Sequence, residues 1–159
     1  MGCRYPEVSL ADIAVITTGK SNRQDAVENG KYIFFDRSQE AKRSARYLYD
    51  AKAIIVPGEG KEFIPRYFEG KFDLHQRAYA VIPNEKCNSR FVYYAVSYRR
   101  SHFANIAVGS TVKSLRLASF ETMQIPLPDI ATQDAIALVL ACLDKKIASN
   151  TRLNGYLAA

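Results

Sequence analysis

Asp73-Leu74-His75-Gln76-Arg77 is the densest run of side chains able to do chemistry in this sequence. His75 with Asp73, or with Asp36 from elsewhere in the chain, could form a general base. No serine or cysteine stands in a recognisable nucleophile setting, however, and two histidines in all leave no room for a histidine-rich metal site. The expectation is no catalytic and no metal-binding residue. Gln76 and Arg77 have another use, because glutamine and arginine bond adenine and guanine edges bidentately in the major groove. The same cluster on a strand can equally be a structural hydrogen-bond group. Asp36-Arg37-Ser38 and Lys42-Arg43-Ser44 add donors and acceptors on a second loop, open to the same two readings.

Pro57-Gly58-Glu59-Gly60-Lys61 suggests a phosphate cradle, since glycines let the backbone approach an anion and Lys61 supplies a charge. It fails the P-loop pattern, which needs four residues between the glycines and a hydroxyl after the lysine. A glycine-flanked charged tip suits entry into a groove or contact with a sugar-phosphate backbone; a tight hairpin with solvated charges is the plain alternative. Cys3, Cys87 and Cys142 form no C-x-x-C pair and are an odd count, so they read as reduced thiols, with Cys142 on a helix near its packed face.

Charge is uneven. The net charge is +6, and all the excess lies in residues 1–128; residues 129–159 carry three basic and three acidic side chains. Between Glu85 and Glu121 there is no acidic residue, while Lys86, Arg90, Arg99, Arg100, Lys113 and Arg116 alternate with Tyr93, Tyr94, Tyr98, His102 and Phe103. Such a segment repels itself unless an anion meets it, and nucleic acid is the commonest anion of that extent. A basic solvated helix face is the other reading.

Elements able to position these groups follow from the apolar pattern. Val8 to Ala14 reads as a helical turn opening on Ser9, and Val15 to Thr18 as a strand running into the polar loop Gly19-Lys20-Ser21-Asn22-Arg23. Tyr32–Phe35 and Ala53–Val56 are short apolar runs typical of buried strands, and Phe63–Phe68, Phe72–Leu74 and Ala78–Ile82 predict three more. Ser89 to Ala107 has a helical pattern with Val92, Ala95, Val96, Phe103 and Ile106 inward; Leu115 to Thr122 predicts a turn or short helix before a strand over Met123–Pro126. With 159 residues, 48% hydrophobic and 24% charged, the chain suits one globular domain with an appendage. No apolar run approaches the roughly 20 residues of a membrane span, and the start shows no signal peptide or myristoylation motif, so the expected location is cytoplasmic.

The appendage is a helix over Gln133 to Leu157, with Thr132 as its N-cap. Ile136, Leu140, Leu143, Ile147, Asn150, Asn154 and Leu157 are spaced four and three apart, the step that keeps one seam facing a neighbouring helix. Asparagine in such a seam selects register and oligomer state, because a mispaired amide is left without a partner. An ordinary helix packed on its own domain, with Leu138 and Val139 widening the apolar face, is the alternative.

Taken together, Leu10-Ala11-Asp12-Ile13, Ile16 to Lys20, Ile55-Val56-Pro57-Gly58, Gly109-Ser110-Thr111-Val112-Lys113, Leu115, Phe120, Ile125-Pro126-Leu127-Pro128, Gln133, Ile136-Ala137, Leu140, Leu143-Asp144 and Ile147 resemble the target-recognition domain plus conserved helix of a type I restriction-modification specificity subunit. The resemblance covers nearly the whole chain. It implies an α+β fold: a mixed, strand-rich recognition domain over residues 1–128, followed by a long coiled-coil-type dimerisation or spacer helix over 129–159. It also implies sequence-specific binding of double-stranded DNA without catalysis. A partner methyltransferase subunit would methylate adenine and a partner restriction subunit would cleave, so S-adenosylmethionine, ATP and Mg are expected only in those partners.

Family members usually carry two recognition domains and two helices in one chain. One of each here implies either half of a longer subunit or a half-subunit that forms a homodimer and reads a bipartite site. Lys20, Arg23, Lys113 and Arg116 are the candidates for phosphate contact, and Arg37, Lys61, His75, Gln76 and Arg77 line up as the remaining DNA-binding candidates, Arg37, Lys61, Gln76 and Arg77 for base or groove contact. An adaptor or decoy that holds the methyltransferase through the helix but reads no DNA is the competing function.

Overall fold

The computed structural model describes residues 5–157, with the side chain of Leu157 excluded; Cys3 and the chain start lie outside the described residues. Ser9 ends a short strand, β1 (Glu7–Ser9), and its side chain accepts from the Ala11 amide to open the single-turn helix α1 (Leu10–Ile13). The expected turn on Ser9 is present, but Val8 belongs to the strand. Six further strands, β2 (Ala14–Thr18), β3 (Tyr32–Phe35), β4 (Lys42–Ser44), β5 (Tyr49–Pro57), β6 (Arg66–Leu74) and β7 (Ala78–Pro83), form one sheet in the order β2-β7-β5-β6-β3-β4. Only β3 and β6 run parallel.

β5 explains the sheet. Its residues Ala53 to Pro57 are buried without interruption because both faces are covered. Ile54 and Val56 face a cluster with Leu10, Phe63, Val81, Phe91, Val96, Phe103 and Phe120, while Ala53 and Ile55 pack with Phe35, Phe72, Leu74, Ala78 and Ala80 on the other face. The sheet curls toward closure on that second face. The curl brings the Tyr49 hydroxyl within 2.8 Å of the Thr18 carbonyl, to which it donates. It also lets Ser21, just past β2, form a parallel bridge with His75, just past β6.

Two strand assignments change. Phe63–Phe68 and Phe72–Leu74 are not separate strands: β6 runs through Gly70, which sits at φ 121°, while Phe63 precedes the strand at φ 47°. The reason is β5, which extends back to Tyr49 and supplies partners opposite Glu69, Gly70 and Lys71, with Lys52–Glu69 and Lys71–Asp50 ion pairs across the ladder. Lys42-Arg43-Ser44 is an edge strand rather than a loop, held antiparallel to β3. Charged residues suit an edge.

The helical segment is also divided. α2 (Ser89–Tyr98) and α3 (Arg100–Ile106) break at Arg99, and Ile106 is exposed, not inward. The α2 start is capped by Asn88, whose Oδ1 accepts from the Arg90 and Phe91 amides. After α4 (Leu117–Glu121), β8 (Gln124–Pro126) pairs antiparallel with β1 and leads to α5 (Ile130–Leu157). The architecture is therefore α+β, strand-rich, with a long C-terminal helix.

α5 begins three residues before the expected start, and Thr132 is not its cap. Asp129 takes that role, its carboxylate accepting from the Thr132 amide at 3.0 Å and the Thr132 hydroxyl at 2.9 Å. Gln133 and Ala137 are buried against the domain, so the core continues past residue 128 into the helix. Gln133 accepts from the Asn88 amide and donates to the Pro128 carbonyl; further along, the Tyr94 hydroxyl donates to Asp144 at 2.7 Å. From Cys142 to Tyr156 every residue is exposed, which removes Cys142 from the packed face. Leu138 and Val139 are also exposed and do not widen that face.

Candidate nucleic-acid interface

Loops from both edges of the curled sheet converge where β6 turns into β7. The Ser21 loop is fixed there by Asp73, a carboxylate 1% exposed that accepts from the Ser21 and Ser44 hydroxyls at 2.8 Å and the Leu74 amide at 2.9 Å. Gly19 allows the approach: a Cβ there would lie 1.7 Å from the Leu74 carbonyl oxygen. Asp73 is thus a structural acceptor, and no Asp73–His75 base pair exists. His75 instead accepts the Arg77 amide at Nδ1, 3.0 Å, which assigns the proton of the neutral ring to Nε2 as an outward donor. Burial lowers the His75 pKa against the opposing pull of Asp36, which keeps the ring neutral at pH 7.

Three contiguous clefts result. One of about 450 Å³ is lined by Asn22, Arg23, Gln24, Asp36, Arg37, His75, Gln76 and Arg77. Arg37 also lines the next, of about 320 Å³, with Glu59, Gly60, Lys61 and a third acid of the row, Glu62. Gly60 and Lys61 then border a third, of about 500 Å³, with Ser110 to Lys113. The row carries Arg23, Arg37, Arg77, Lys61 and Lys113 along one side of the molecule. Seven of the nine expected contact residues meet in it. Lys20 and Arg116 are exposed but line none of the three clefts.

Acidic groups shape the row. Glu59, its side chain 14% exposed, accepts from Arg37 Nη1 at 2.6 Å and Arg77 Nη1 at 2.7 Å. Burial pushes the Glu59 carboxyl up, but the hydrogen bonds and charges of the two guanidiniums outweigh it and hold the group below the usual carboxylate range. Asp36 behaves alike: burial raises it, but hydrogen bonds from Lys42 and Ser38 outweigh that and hold it below its ordinary value. Gln76 Nε2 donates to Asn22 Oδ1 at 2.6 Å. Sequence reasoning missed Asn22, Gln24 and the part played by Glu59; an acid in an anion-facing site has the wrong sign to be sought there. Among the described residues no group of three or more His, Cys, Asp or Glu side chains is placed to hold a metal ion. No helix among them is long and apolar enough to cross a membrane.

The expected helix seam is split. Ile136 packs against the domain and Leu140 is half-buried, while Leu143 and Ile147 are 52% and 64% exposed, with Asn150 and Asn154 exposed beyond them. At 100° per residue this stripe lies about a quarter turn round the helix from the Gln133–Ala137 face that docks on α2. One side of α5 is thus occupied and its neighbour free. The side chain of Leu157 lies outside the described residues.

A curled strand-rich domain with a cationic row and a half-docked terminal helix defines a class, and the chain belongs to the type I restriction modification DNA specificity domain family, whose profile matches residues 4–157. It is 26% identical over 145 residues to the type I restriction enzyme EcoDI specificity subunit of Escherichia coli, covering 91% of this chain and 32% of that protein. Its fold is similar to the type I restriction-modification S subunit from M. genitalium, with TM-score 0.81, 18% identity and coverage of 92% of this chain and 41% of that one. The HsdS subunit from Thermoanaerobacter tengcongensis gives TM-score 0.70 at 13% identity over 93% of this chain and 39% of its own. The chain therefore spans well under half the length of these relatives.

Proposed function

We propose that the chain is a DNA target-recognition domain of a type I specificity subunit, with duplex DNA lying along the row of three clefts. The observation that carries this reading is the row itself: five cations on one surface, with Gln76, His75, Arg37 and Arg77 grouped in one of its clefts, the donors suited to base edges. Arg23 and Lys113 at the two ends would hold phosphates, with Lys20 and Arg116 on the flanks. Arg37, Lys61, Gln76 and Arg77 would enter the groove. The chain itself performs no chemistry in this reading. It directs a methyltransferase subunit that methylates adenine and a restriction subunit that cleaves, and S-adenosylmethionine, ATP and Mg belong to those partners.

The free stripe of α5 would pair with a second such helix, supplied by another copy or by the rest of a longer subunit. Two domains held by a helix pair would read a bipartite target, the helix length setting the gap. Measuring binding to duplex pools over a salt series tests the reading. Arg77→Ala should relax one position by about 1–3 kcal/mol, and Lys113→Ala should weaken all sequences alike with a salt slope smaller by about one. Tight methyltransferase binding with no sequence preference would instead establish the adaptor. Sedimentation of a monomer at micromolar concentration with full DNA specificity would remove the helix-pair part.

A further inference from the structure

Glu59 is an anion in the middle of a surface suited to anions, and the fold goes to some length to keep it there. The Gly58 amide donates to the Arg77 carbonyl at 2.9 Å, the Gly58 carbonyl accepts from Leu115 at 2.8 Å, and the Gly60 amide donates to the Lys113 carbonyl at 3.0 Å. Both flanking glycines are required. A Cβ on Gly58 would lie 2.5 Å from the Arg77 carbonyl oxygen, and Gly60 has φ 139°. The carboxylate is consequently fixed by the backbone on either side, while the arginine side chains it holds are 53% and 59% exposed. Exposed arginines left alone would sample many rotamers.

The contact is also selective within each guanidinium. Glu59 takes Nη1 from both arginines, and no hydrogen bond among the described residues engages the Nε–Nη2 edge of either. That edge offers two parallel donors, the arrangement that matches O6 and N7 of guanine. Because both Nη1 atoms bind one carboxylate, the two guanidiniums are held close together and would reach the same or adjacent base pairs.

We infer that Glu59 is a positioning residue that presets Arg37 and Arg77 as a paired guanine reader, sacrificing general attraction to phosphate for preference at one or two adjacent base pairs. This rests on the DNA-recognition reading above and adds a sign to it. Removing a carboxylate from a DNA-facing surface should leave non-specific affinity unchanged or raise it. Losing a fixed reader should lower preference at its positions only.

The test is selection from a randomised duplex pool, with affinity for a fixed random duplex measured alongside, for the wild-type chain, Glu59→Gln and Arg77→Ala. Wild type should enrich guanine at adjacent positions. Glu59→Gln should reduce that preference about tenfold, with unchanged or higher affinity for the random duplex. If wild type selects sequences and Glu59→Gln selects the same ones, the inference fails and the DNA-recognition reading stands. If wild type selects nothing, the reading itself fails. Should Glu59→Gln not fold, arginine side-chain NMR on the free wild-type protein decides: hindered rotation of the Arg37 and Arg77 guanidiniums, each assigned by the signal that Arg37→Lys or Arg77→Lys removes, supports the clamp, and free rotation of those two overturns it.

Discussion

Asp73→Ala should be the most damaging single change to the recognition surface that touches none of it. The carboxylate is buried and satisfies the Ser21 hydroxyl, the Ser44 hydroxyl and the Leu74 amide, with Ser21 and Ser44 each 1% exposed. Each buried donor left without an acceptor costs about 1–3 kcal/mol. The three losses do not add fully, because the desolvation of the carboxylate is relieved at the same time, so about 3–5 kcal/mol is expected. For a domain of this size that lowers the melting temperature by roughly 6–20 °C. Asp73→Asn keeps one acceptor oxygen but places an amide among donors, and should fall between the two. Urea unfolding followed by circular dichroism gives the free energies, and amide exchange at residues 19–25 reports whether the Ser21 loop is released. A loss below 1 kcal/mol for Asp73→Ala would show that the network is dispensable and that another contact fixes the loop.

Gly19→Ala should destabilise by about 1–3 kcal/mol, since the new methyl must displace the Leu74 carbonyl or the loop; an unchanged melting temperature would contradict the close approach. Asn88→Ala removes the α2 cap and the Asn88–Asp134 bond at once. It should cost about 1–2 kcal/mol and speed amide exchange in the first turns of α5, and protection there equal to wild type would argue against the docking. Acid should act through Asp36 and Glu59, whose folded pKa values lie below their ordinary 3.8 and 4.5. Their contribution is complete above those ordinary values and is lost as pH falls through the lower folded ones. Urea midpoints for Glu59→Gln should therefore depend less on pH below about 4.5 than those of wild type, and parallel curves would count against it.

Much of this fold follows from local pattern. The Ala53–Val56 run, the Ser9 turn and the β8 approach to the helix are visible because burial on both faces, capping and proline each leave a short-range trace. What the sequence hides depends on partners far away. Glu69-Gly70-Lys71 has the chemistry of a turn, and only Asp50 and Lys52 opposite make it a strand. The acid-free segment from residue 86 to 120 is likewise not a one-sign surface, because Arg99 pairs with Glu7 at 2.5 Å and Arg90 stacks on Tyr67 at 4.5 Å. Most of the contact candidates could be named from residue type and loop position. The Glu59 clamp could not, since it joins three loops.

The β1–β8 pair carries a consequence for how the protein is made. Glu7 lies opposite Pro126, so the first strand has no partner until about 120 further residues have been synthesised. At roughly 5–20 residues per second this leaves β1 waiting about 6–24 s beside a nearly finished sheet. The last helix then grows from the segment that closes the fold. Slow synthesis of residues 100–130 would hold the apolar Leu10 uncovered for longer, and that window is where chaperone dependence of this chain should concentrate.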